Sequence, residues 1–302
     1  FRFSVIIKSF LVAWACLGVL IHAVDTRLAD AFEANRAEQI EAALTAGADL
    51  NASQVDGMTA LHWACYHDET ELAGRLLDLG ANVNARNRYG ISPLYLACLN
   101  GNESIVKLLL SEDVDPNTAI NGGESALMTA ARTGKIDTVS ALIKAGADLD
   151  ATERNGQTAI MWASHEGHAA VVKLLLKSGA DYQTPLESGY TPFLFAVREG
   201  HRDIVHSFLD AGVDVNLVTE PKRTQKKTPV AGTSPLLLAV ENGHYDLAVE
   251  LLERGANPDD MSTGATVLHA LTWIRKPDIG ESASGDPAPR GSGRRNSDQF
   301  IR

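Results

Sequence analysis

Residues 57–85 read GMTALHWACYHDETELAGRLLDLGANVNA, and this stretch contains the signals of a short helix-turn-helix unit. Gly57 is suited to a turn with positive φ, and the Thr59 hydroxyl can accept hydrogen bonds from the unsatisfied N–H groups of the helix that follows. A second apolar helix ends at Gly80, a residue that favours the left-handed conformation found after helix C-termini. The stretch therefore predicts two short helices followed by an extended connection, GANVN.

The same signals recur along the chain with a nearly constant period. Turn glycines stand at 57, 90, 123, 156, 189, 232 and 264, so that four spacings of 33 residues are followed by spacings of 43 and 32. Two positions after each glycine is a hydroxyl residue: Thr59, Ser92, Ser125, Thr158, Thr191, Ser234 and Thr266. A fixed period of this length is the signature of a repeat array.

A second series of glycines marks the end of each second helix. Its members stand at 47, 80, 146, 179, 212 and 255, and Asp113 takes the equivalent place in the segment SEDVDPN. Aspartate tolerates a left-handed backbone better than most residues but less well than glycine. We therefore expect the unit that ends at Asp113 to be a weaker one.

The units resemble ankyrin repeats, which have a 33-residue period and a T-P-L-H-x-A signature. The match is carried by TALHWA at 59–64 with GANVNA at 80–85, SPLYLA at 92–97, TPFLFA at 191–196, SPLLLA at 234–239 and TVLHAL at 266–271. The resemblance covers about residues 27–302. It implies an all-α fold, an ankyrin-repeat solenoid of helix-turn-helix units joined by β-hairpin-like loops.

The phase of the repeat gives the expected domain boundaries. Residues 25–55 lack the Thr-Pro-Leu-His opening but retain a second helix and GADLN, which predicts an N-terminal capping repeat. Further repeats are expected at 56–88, 89–121, 122–154, 155–187, 188–230 and 231–263, and the fifth of these has a ten-residue loop insertion. Residues 264–302 resemble an incomplete repeat with a Gly/Pro/Ser-rich insertion. Because a solenoid needs a polar terminal cap and this segment has none, we expect the sequence to be truncated here.

The first 24 residues differ in composition from the repeats. Arg2 and Lys8 precede the uncharged run SFLVAWACLGVLI at 9–21, which is followed by His22 and the small residue Ala23. This order predicts a secretory signal peptide at 1–24, and therefore a periplasmic or secreted protein. The alternatives are an uncleaved membrane-associated segment, lipoprotein cleavage at Cys16, or a buried N-terminal helix in a cytoplasmic protein.

Composition and motifs argue against several classes of function. The chain has 38 acidic and 27 basic residues, a formal net charge of -11, which disfavours a nucleic-acid partner. It contains no P-loop, no G-x-S-x-G elbow and no paired-carboxylate cluster. We therefore predict no catalysis and no cofactor in this segment.

The histidines suggest a metal site at first sight, because HEGH at 165–168 is close to the zinc signature H-E-x-x-H. Gly167 ends the helix between the two histidines, so they need not share a helix face, and we predict no metal site. His168, His201 and His244 share one repeat position, and His62 and His269 share another. The resemblance implies hydrogen bonds between turns and neighbouring repeats at both positions. His206 is expected to be solvated.

Cys65 and Cys98 fall at equivalent positions of adjacent repeats. Stacked helices lie about 8–10 Å apart, whereas a disulfide requires Cα atoms within about 7 Å. We therefore expect two buried reduced thiols, with a disulfide as the alternative.

Binding is expected where residues vary from unit to unit, because the resemblance implies a concave protein-binding face made of helix ends and turn tips. The predicted contact residues are Tyr66, His67, Arg86, Arg88, Tyr89, Leu99, Asn100, Arg132, Thr133, Arg154, His165, Glu166, Glu187, Arg198, Glu199, Glu241 and Asn242. Further candidates at the tips are Glu153, Tyr190 and the basic loop at 217–231. For each of these residues, a merely solvated side chain is the alternative.

These observations predict a monomeric, non-catalytic scaffold that binds another protein and contacts a membrane only through an uncleaved signal segment. One alternative is the targeting module of a larger enzyme or signalling protein whose catalytic domain lies beyond residue 302. Another is an intracellular effector whose N-terminal segment is not a signal.

Overall fold

Each repeat unit folds as a pair of short α-helices followed by an extended turn. A computed structural model describes residues 25–222, 230–264 and 266–274, which form fifteen α-helices and no β-strand. The predicted signal peptide and the Gly/Pro/Ser-rich segment lie outside the described residues, as does the stretch 223–229 of the basic loop. The chain divides into two compact units between Leu96 and Ala97.

The first unit contains two helix pairs and the start of a third. Its helices are α1 (Arg27–Glu33), α2 (Ala37–Thr45), α3 (Ala60–Tyr66) and α4 (Thr70–Asp78), and α5 (Pro93–Asn100) runs across the division. Helix α1 packs against both α2 and α3, and α3 packs against α4. The core of this unit contains Leu28, Phe32, Ile40, Leu61 and Leu76, all essentially fully buried.

The second unit continues the same arrangement. Its helices are α6 (Glu103–Ser111), α7 (Ala126–Arg132), α8 (Ile136–Lys144), α9 (Ala159–Glu166), α10 (Ala169–Lys177), α11 (Pro192–Glu199), α12 (Arg202–Asp210), α13 (Pro235–Glu241), α14 (Tyr245–Glu253) and α15 (Val267–Ile274). First helices pack in the series α7, α9, α11, α13 and α15, and second helices in the series α6, α8, α10 and α12. The interior is apolar and includes the fully buried Ile105, Leu127, Phe193 and Phe208.

Hydroxyl residues precede the first helices, as predicted, but their side-chain hydrogen bonds differ from one helix to the next. The side-chain oxygens of Ser125, Thr191 and Ser234 accept hydrogen bonds of 3.2–3.3 Å from the main-chain N–H three residues later. At α3 the Thr59 hydroxyl instead lies 2.8 Å from His62 Nδ1. Thr158 differs from the prediction, because its Oγ1 is buried without a hydrogen-bond partner.

The second helices end at glycines in the left-handed region, except at Asp113. The six predicted glycines have φ values between 68° and 96°. The expectation that Asp113 would adopt a comparable backbone is wrong, since its φ is not positive. Helix α6 ends at Ser111, and the residue that follows it, Glu112, is extended, with φ -86° and ψ 173°. This ending avoids the left-handed backbone that a side chain with a Cβ disfavours.

The turn tips are hairpin-like but form no strand ladder within the described residues. In the five tips from Gln54 to Tyr190 one main-chain N–H donates to the carbonyl four residues later, as from Asn87 to Ile91 at 3.0 Å. Successive tips are joined as well, since Arg88 N donates to Asp56 O at 2.9 Å. Gly57 permits this approach, because a Cβ there would lie 2.8 Å from the Asn87 Cα.

A recurring Asn or Asp side chain joins the extended segments of successive repeats. The Asn51 side-chain oxygen accepts from Asn82 N at 2.7 Å within the first unit. In the second unit Asn117 binds Asp148 N and Asp150 binds Asp181 N, both at 2.7 Å. These contacts explain why the GADLN and GADLD segments end in Asn or Asp.

Candidate functional site

The end of α3 presents three rings that contact one another. The Trp63 centroid lies 5.6 Å from that of Tyr66 and 5.9 Å from that of His67, and the latter two rings are 5.2 Å apart. Tyr66 is 48% exposed, and the other two rings are half-buried. The predicted contact residues Tyr66 and His67 therefore belong to a partly accessible aromatic cluster.

Gln54 joins this aromatic cluster to two carboxylates. Its side-chain oxygen accepts from Trp63 Nε1 at 2.8 Å. Its Nε2 donates to Asp30 Oδ1 at 2.8 Å and to Glu33 Oε2 at 2.6 Å. Both carboxylates are exposed. Asp30, Glu33 and Gln54 were not among the predicted contact residues, because the capping repeat lacks the motif that sets the phase of the other units.

The next turn tip of the first unit is basic and aromatic. Arg86, Arg88 and Tyr89 are all exposed, and the Arg88 guanidinium carbon lies 4.9 Å from the centroid of the Tyr89 ring. Exposed arginine and tyrosine side chains are residue types in which interface energy concentrates. The structure therefore leaves these predicted contact residues accessible to a partner.

In the second unit, arginines at the ends of first helices lie over aromatic rings. Arg132 Nη2 is 3.3 Å from Glu124 Oε1, and its guanidinium carbon is 5.9 Å from the Trp162 centroid. Arg198 lies 5.0 Å from the Tyr190 centroid and 5.2 Å from that of Phe195. These arginines are half-buried and already engaged by the chain itself.

His165, Arg198 and Glu199 form one hydrogen-bonded group. Arg198 Nε donates to Glu199 Oε1 at 2.7 Å, and its Nη2 lies 3.2 Å from His165 Nδ1. Because a guanidinium can only donate, Nδ1 of His165 accepts. Glu199 Oε1 also lies 3.4 Å from His165 Nδ1, but the carboxylate of Glu199 forms its ion pair with the Arg198 guanidinium.

Two tip candidates are not accessible, which corrects the sequence-based expectation. Tyr190 is only 7% exposed and stacks on Phe195 with centroids 5.0 Å apart. Burial raises the pKa of the Tyr190 hydroxyl, and the nearby Arg198 opposes this shift. Glu153 is 9% exposed, and its carboxylate accepts hydrogen bonds from Asn155 N and Gln157 N. Both side chains stabilise their own turn.

Two carboxylates among the predicted contact residues, Glu166 and Glu241, form no ion pair with a cationic side chain of the described residues. Glu166 and Glu241 are exposed at the ends of α9 and α13. Neighbouring protein atoms partly desolvate the Glu241 carboxyl and so raise its pKa above the usual value. Asn242 beside it donates from Nδ2 to Leu238 O at 2.8 Å, so its amide is engaged by its own helix.

The remaining predicted contact residues have varied surroundings. Leu99 and Asn100 are half-buried at the end of α5. Thr133 turns its hydroxyl back to Thr129 O at 3.0 Å. Arg154 and Glu187 are exposed at turn tips.

Only the base of the predicted basic loop lies within the described residues. Thr219 N donates to Thr233 O at 3.1 Å, and Thr219 Oγ1 donates to Val230 O at 2.7 Å. Lys222 N donates to Glu187 O at 2.8 Å. The first two bonds join the two ends of the insertion, and the third joins Lys222 to the preceding turn tip.

His206 is not merely solvated, which corrects another expectation. Its Nε2 lies 3.0 Å from Glu250 Oε2, and Arg202 also binds this carboxylate. Partial burial alone would raise the pKa of Glu250, but hydrogen bonds from Arg202 and His206 lower it below the usual value. The group joins the second helices α12 and α14, away from the predicted contact residues.

The described residues contain no group of three or more His, Cys, Asp or Glu side chains placed to hold a metal ion. Cys65 and Cys98 are both buried thiols, as predicted. Among the described residues, no helix has the length and apolar character needed to cross a bilayer.

Comparison with known proteins identifies the family. A family model described as ankyrin repeats (3 copies) matches residues 28–120, 112–185, 127–219 and 193–279. These matches together span more than half of the chain, and the all-α architecture of packed helix pairs agrees with them. No curated protein matches the chain. The chain belongs to the ankyrin-repeat family.

Proposed function

We propose that this protein is a non-catalytic scaffold that binds a partner protein through the ends of its first helices and its turn tips. Ankyrin repeats generally mediate protein–protein interaction, and no catalytic domain is evident among the described residues. The partner-binding surface proposed here comprises the accessible members of the predicted set, with Arg88, Tyr89, Arg154 and Glu166 as the test residues.

One observation supports this proposal above the others. Residue types that recur in several units use their side chains within the scaffold, as Asp150 and His201 do by binding the backbone of a neighbouring repeat. Several residues that vary between units, among them Tyr66, Glu166 and Glu241, expose their side chains instead. A rigid scaffold with variable exposed side chains loses little conformational entropy when it binds.

A pulldown with the full chain as bait tests this function. The binding variant combines Arg88→Ala, Tyr89→Ala, Arg154→Ala and Glu166→Ala. The control variant combines Glu103→Ala, Lys107→Ala, Ile136→Ala and Lys177→Ala on second helices, and it changes the formal charge by the same amount. We expect proteins captured from extracytoplasmic fractions by wild type and control to be lost with the binding variant. Identical capture by all three baits would reject the proposed surface.

We also propose that residues 1–24 direct export and that the exported protein is monomeric. The basic residues followed by an apolar run support export. Fractionation of the full-length protein tests localisation, and a cytosolic wild type contradicts it. Light scattering during size exclusion tests the monomer, and a mass of about twice that of one exported chain contradicts it.

A further inference from the structure

The aromatic cluster of the first unit, together with the carboxylates that Gln54 joins to it, forms what we call the Trp63 site. Its residues are Asp30, Glu33, Gln54, Trp63, Tyr66 and His67. We propose that this site binds a lysine or arginine side chain of the partner protein, with the cation over the Trp63 ring and the two carboxylates as counter-ions. This inference rests on the proposed function and specifies the chemistry of the partner.

The chain contains an internal template for this arrangement. Trp63 and Trp162 occupy the same position three repeats apart, and so do Glu33 and Arg132, which end α1 and α7. At the second-unit position Arg132 lies over the Trp162 ring, 5.9 Å from its centroid. In the first unit the residue equivalent to this arginine is Glu33. The protein therefore supplies its own cation to one tryptophan and a carboxylate to the other.

No lysine or arginine of the described residues occupies the equivalent place over Trp63. Arg75 pairs with Glu41 and Arg27 with Asp25, and neither Asp30 nor Glu33 forms an ion pair within the described part of the chain. The Arg88 guanidinium lies over Tyr89. The His67 ring stacks on the Trp63 ring, with centroids 5.9 Å apart, but the Trp63 side chain stays partly accessible. The accessible part of the Trp63 ring and its two neighbouring carboxylates are thus complementary to a lysine or arginine that the described chain does not provide.

The hydrogen bonds at the site favour a cationic side chain in particular. Gln54 binds Trp63 Nε1 with its oxygen and both carboxylates with its nitrogen, so the indole and the negative charges are held together. A cation over an indole is attracted by the ring quadrupole, and nearby carboxylates add to that attraction. The exposed Tyr66 ring offers apolar surface to the methylene stem of lysine or arginine. The overall charge of -11 also favours a basic partner segment.

Indole N–H resonances provide a direct test with a defined probe. We suggest titrating the full chain, labelled with nitrogen-15, with a Gly/Ser peptide that carries two arginines, and with the same peptide in which citrulline replaces both. Citrulline keeps the shape of arginine but has no charge. We expect the Trp63 indole signal to shift with the arginine peptide only, with a dissociation constant on the order of 1 mM. The signal of Trp162, whose ring is already covered by Arg132, serves as the internal control.

Substitutions of Asp30 and Glu33 distinguish binding of the arginine peptide at this site from its general electrostatic attraction to an acidic protein. We expect Glu33→Gln combined with Asp30→Asn to weaken binding of the arginine peptide by about threefold or more. Glu33→Arg reproduces the template and is expected to abolish the Trp63 shift. The matched control Glu71→Gln combined with Asp78→Asn also removes two exposed carboxylates, both on α4, and is expected to leave the affinity unchanged. Unchanged thermal unfolding of each variant shows that the fold is retained.

The outcomes distinguish this inference from the proposed function. Equal shifts with arginine and citrulline peptides, or equal weakening by the control that combines Glu71→Gln with Asp78→Asn, would overturn the site. If the four-residue binding variant loses its partner while Glu33→Arg still captures it, the scaffold function stands and the cation site fails. If a rise in the protein's own concentration shifts the Trp63 signal, the cation comes from a second copy, and the assignment to another protein is wrong.

Discussion

His201 Nε2 lies 3.0 Å from the main-chain oxygen of His165 in the preceding repeat. His168 makes the same contact with Arg132 O at 2.9 Å, and His244 makes it with Arg198 O at 2.8 Å. The accepting carbonyls all belong to the last turn of a first helix, where C=O groups lack intrahelical partners. Each histidine therefore caps the first helix of the preceding repeat.

The inter-helix glycine leaves room for this histidine. A Cβ at Gly167 would lie 2.7 Å from His201 Cε1, and one at Gly134 would lie 2.5 Å from His168 Nδ1. The missing side chain of the glycine in one repeat thus leaves the space that the histidine ring of the next repeat occupies. This contact explains why both residues recur in the sequence.

Replacement of His201 is expected to destabilise the second unit. His201→Ala leaves the His165 carbonyl without its capping donor, at a cost of about 1–2 kcal/mol in the free energy of unfolding. Urea unfolding followed by circular dichroism measures this loss. Lys177→Ala, at an exposed position of α10, is the control and is expected to change stability by less than about 0.5 kcal/mol. Equal stabilities of the two variants would contradict the capping role.

Alanine at Gly167 is expected to cost more stability than alanine at Gly179. Both glycines have positive φ, 87° and 91°, so both substitutions introduce similar backbone strain of about 1 kcal/mol. Only Gly167→Ala adds a clash with the His201 ring, since a Cβ at Gly179 would meet nothing within 4 Å.

A double-mutant cycle isolates this clash. In a His201→Ala background the extra cost of Gly167→Ala should disappear, because the ring that it meets is absent. The measurement is the difference between the two unfolding free energies in each background. An extra cost that persists without His201 would show that the histidine is not responsible.

The repeat architecture could be predicted from the sequence because its determinants are local. A turn glycine, a capping hydroxyl such as Ser125 and a C-terminal glycine each act within a few residues of themselves. Thr158 has the same sequence context, yet its hydroxyl is buried without a partner. Local pattern therefore predicted the helix start correctly but not every hydrogen bond at it.

Side-chain exposure at the candidate site could not be predicted in this way, because it depends on packing between residues. Tyr190 stands at a turn tip in the sequence but is buried by stacking on Phe195. His206 lies on the surface side of its helix by pattern, but Glu250, two helices further along the chain, accepts its hydrogen bond. Such contacts depend on the direction of both side chains, which the period of the repeat does not specify.

Acidification is expected to destabilise the first unit through His62. Burial lowers the pKa of His62 below 6.5, although its hydrogen bond to Ile91 O opposes the shift. Because Thr59 N donates to His62 Nδ1 at 3.2 Å, the folded ring is neutral, with its proton on Nε2. Below pH 6.5 the unfolded chain binds a proton at His62 more readily than the folded chain does, so stability is complete above that pH and falls as the pH decreases.

A glutamine at this position supplies the test. Urea unfolding at pH 7.5 and pH 5.5 should show a smaller loss of stability on acidification for His62→Gln than for wild type. The difference is at most about 1.4 kcal/mol per pH unit, the limit for one proton. His67→Gln, which alters a half-buried histidine of the same unit, is the control. If both variants keep the wild-type pH dependence, His62 does not titrate on unfolding.

Cys65 is expected to be unreactive in the folded protein. The thiol is fully buried in α3, and burial raises its pKa well above the usual value, with a smaller contribution from Asp68. Because the thiolate is the reactive species, a thiol reagent should modify Cys65 only when the first unit opens. Peptide mapping after brief treatment with iodoacetamide, with and without urea, measures this protection. Rapid modification of Cys65 under native conditions, at a rate near that in urea, would show that this part of the core is open to solvent.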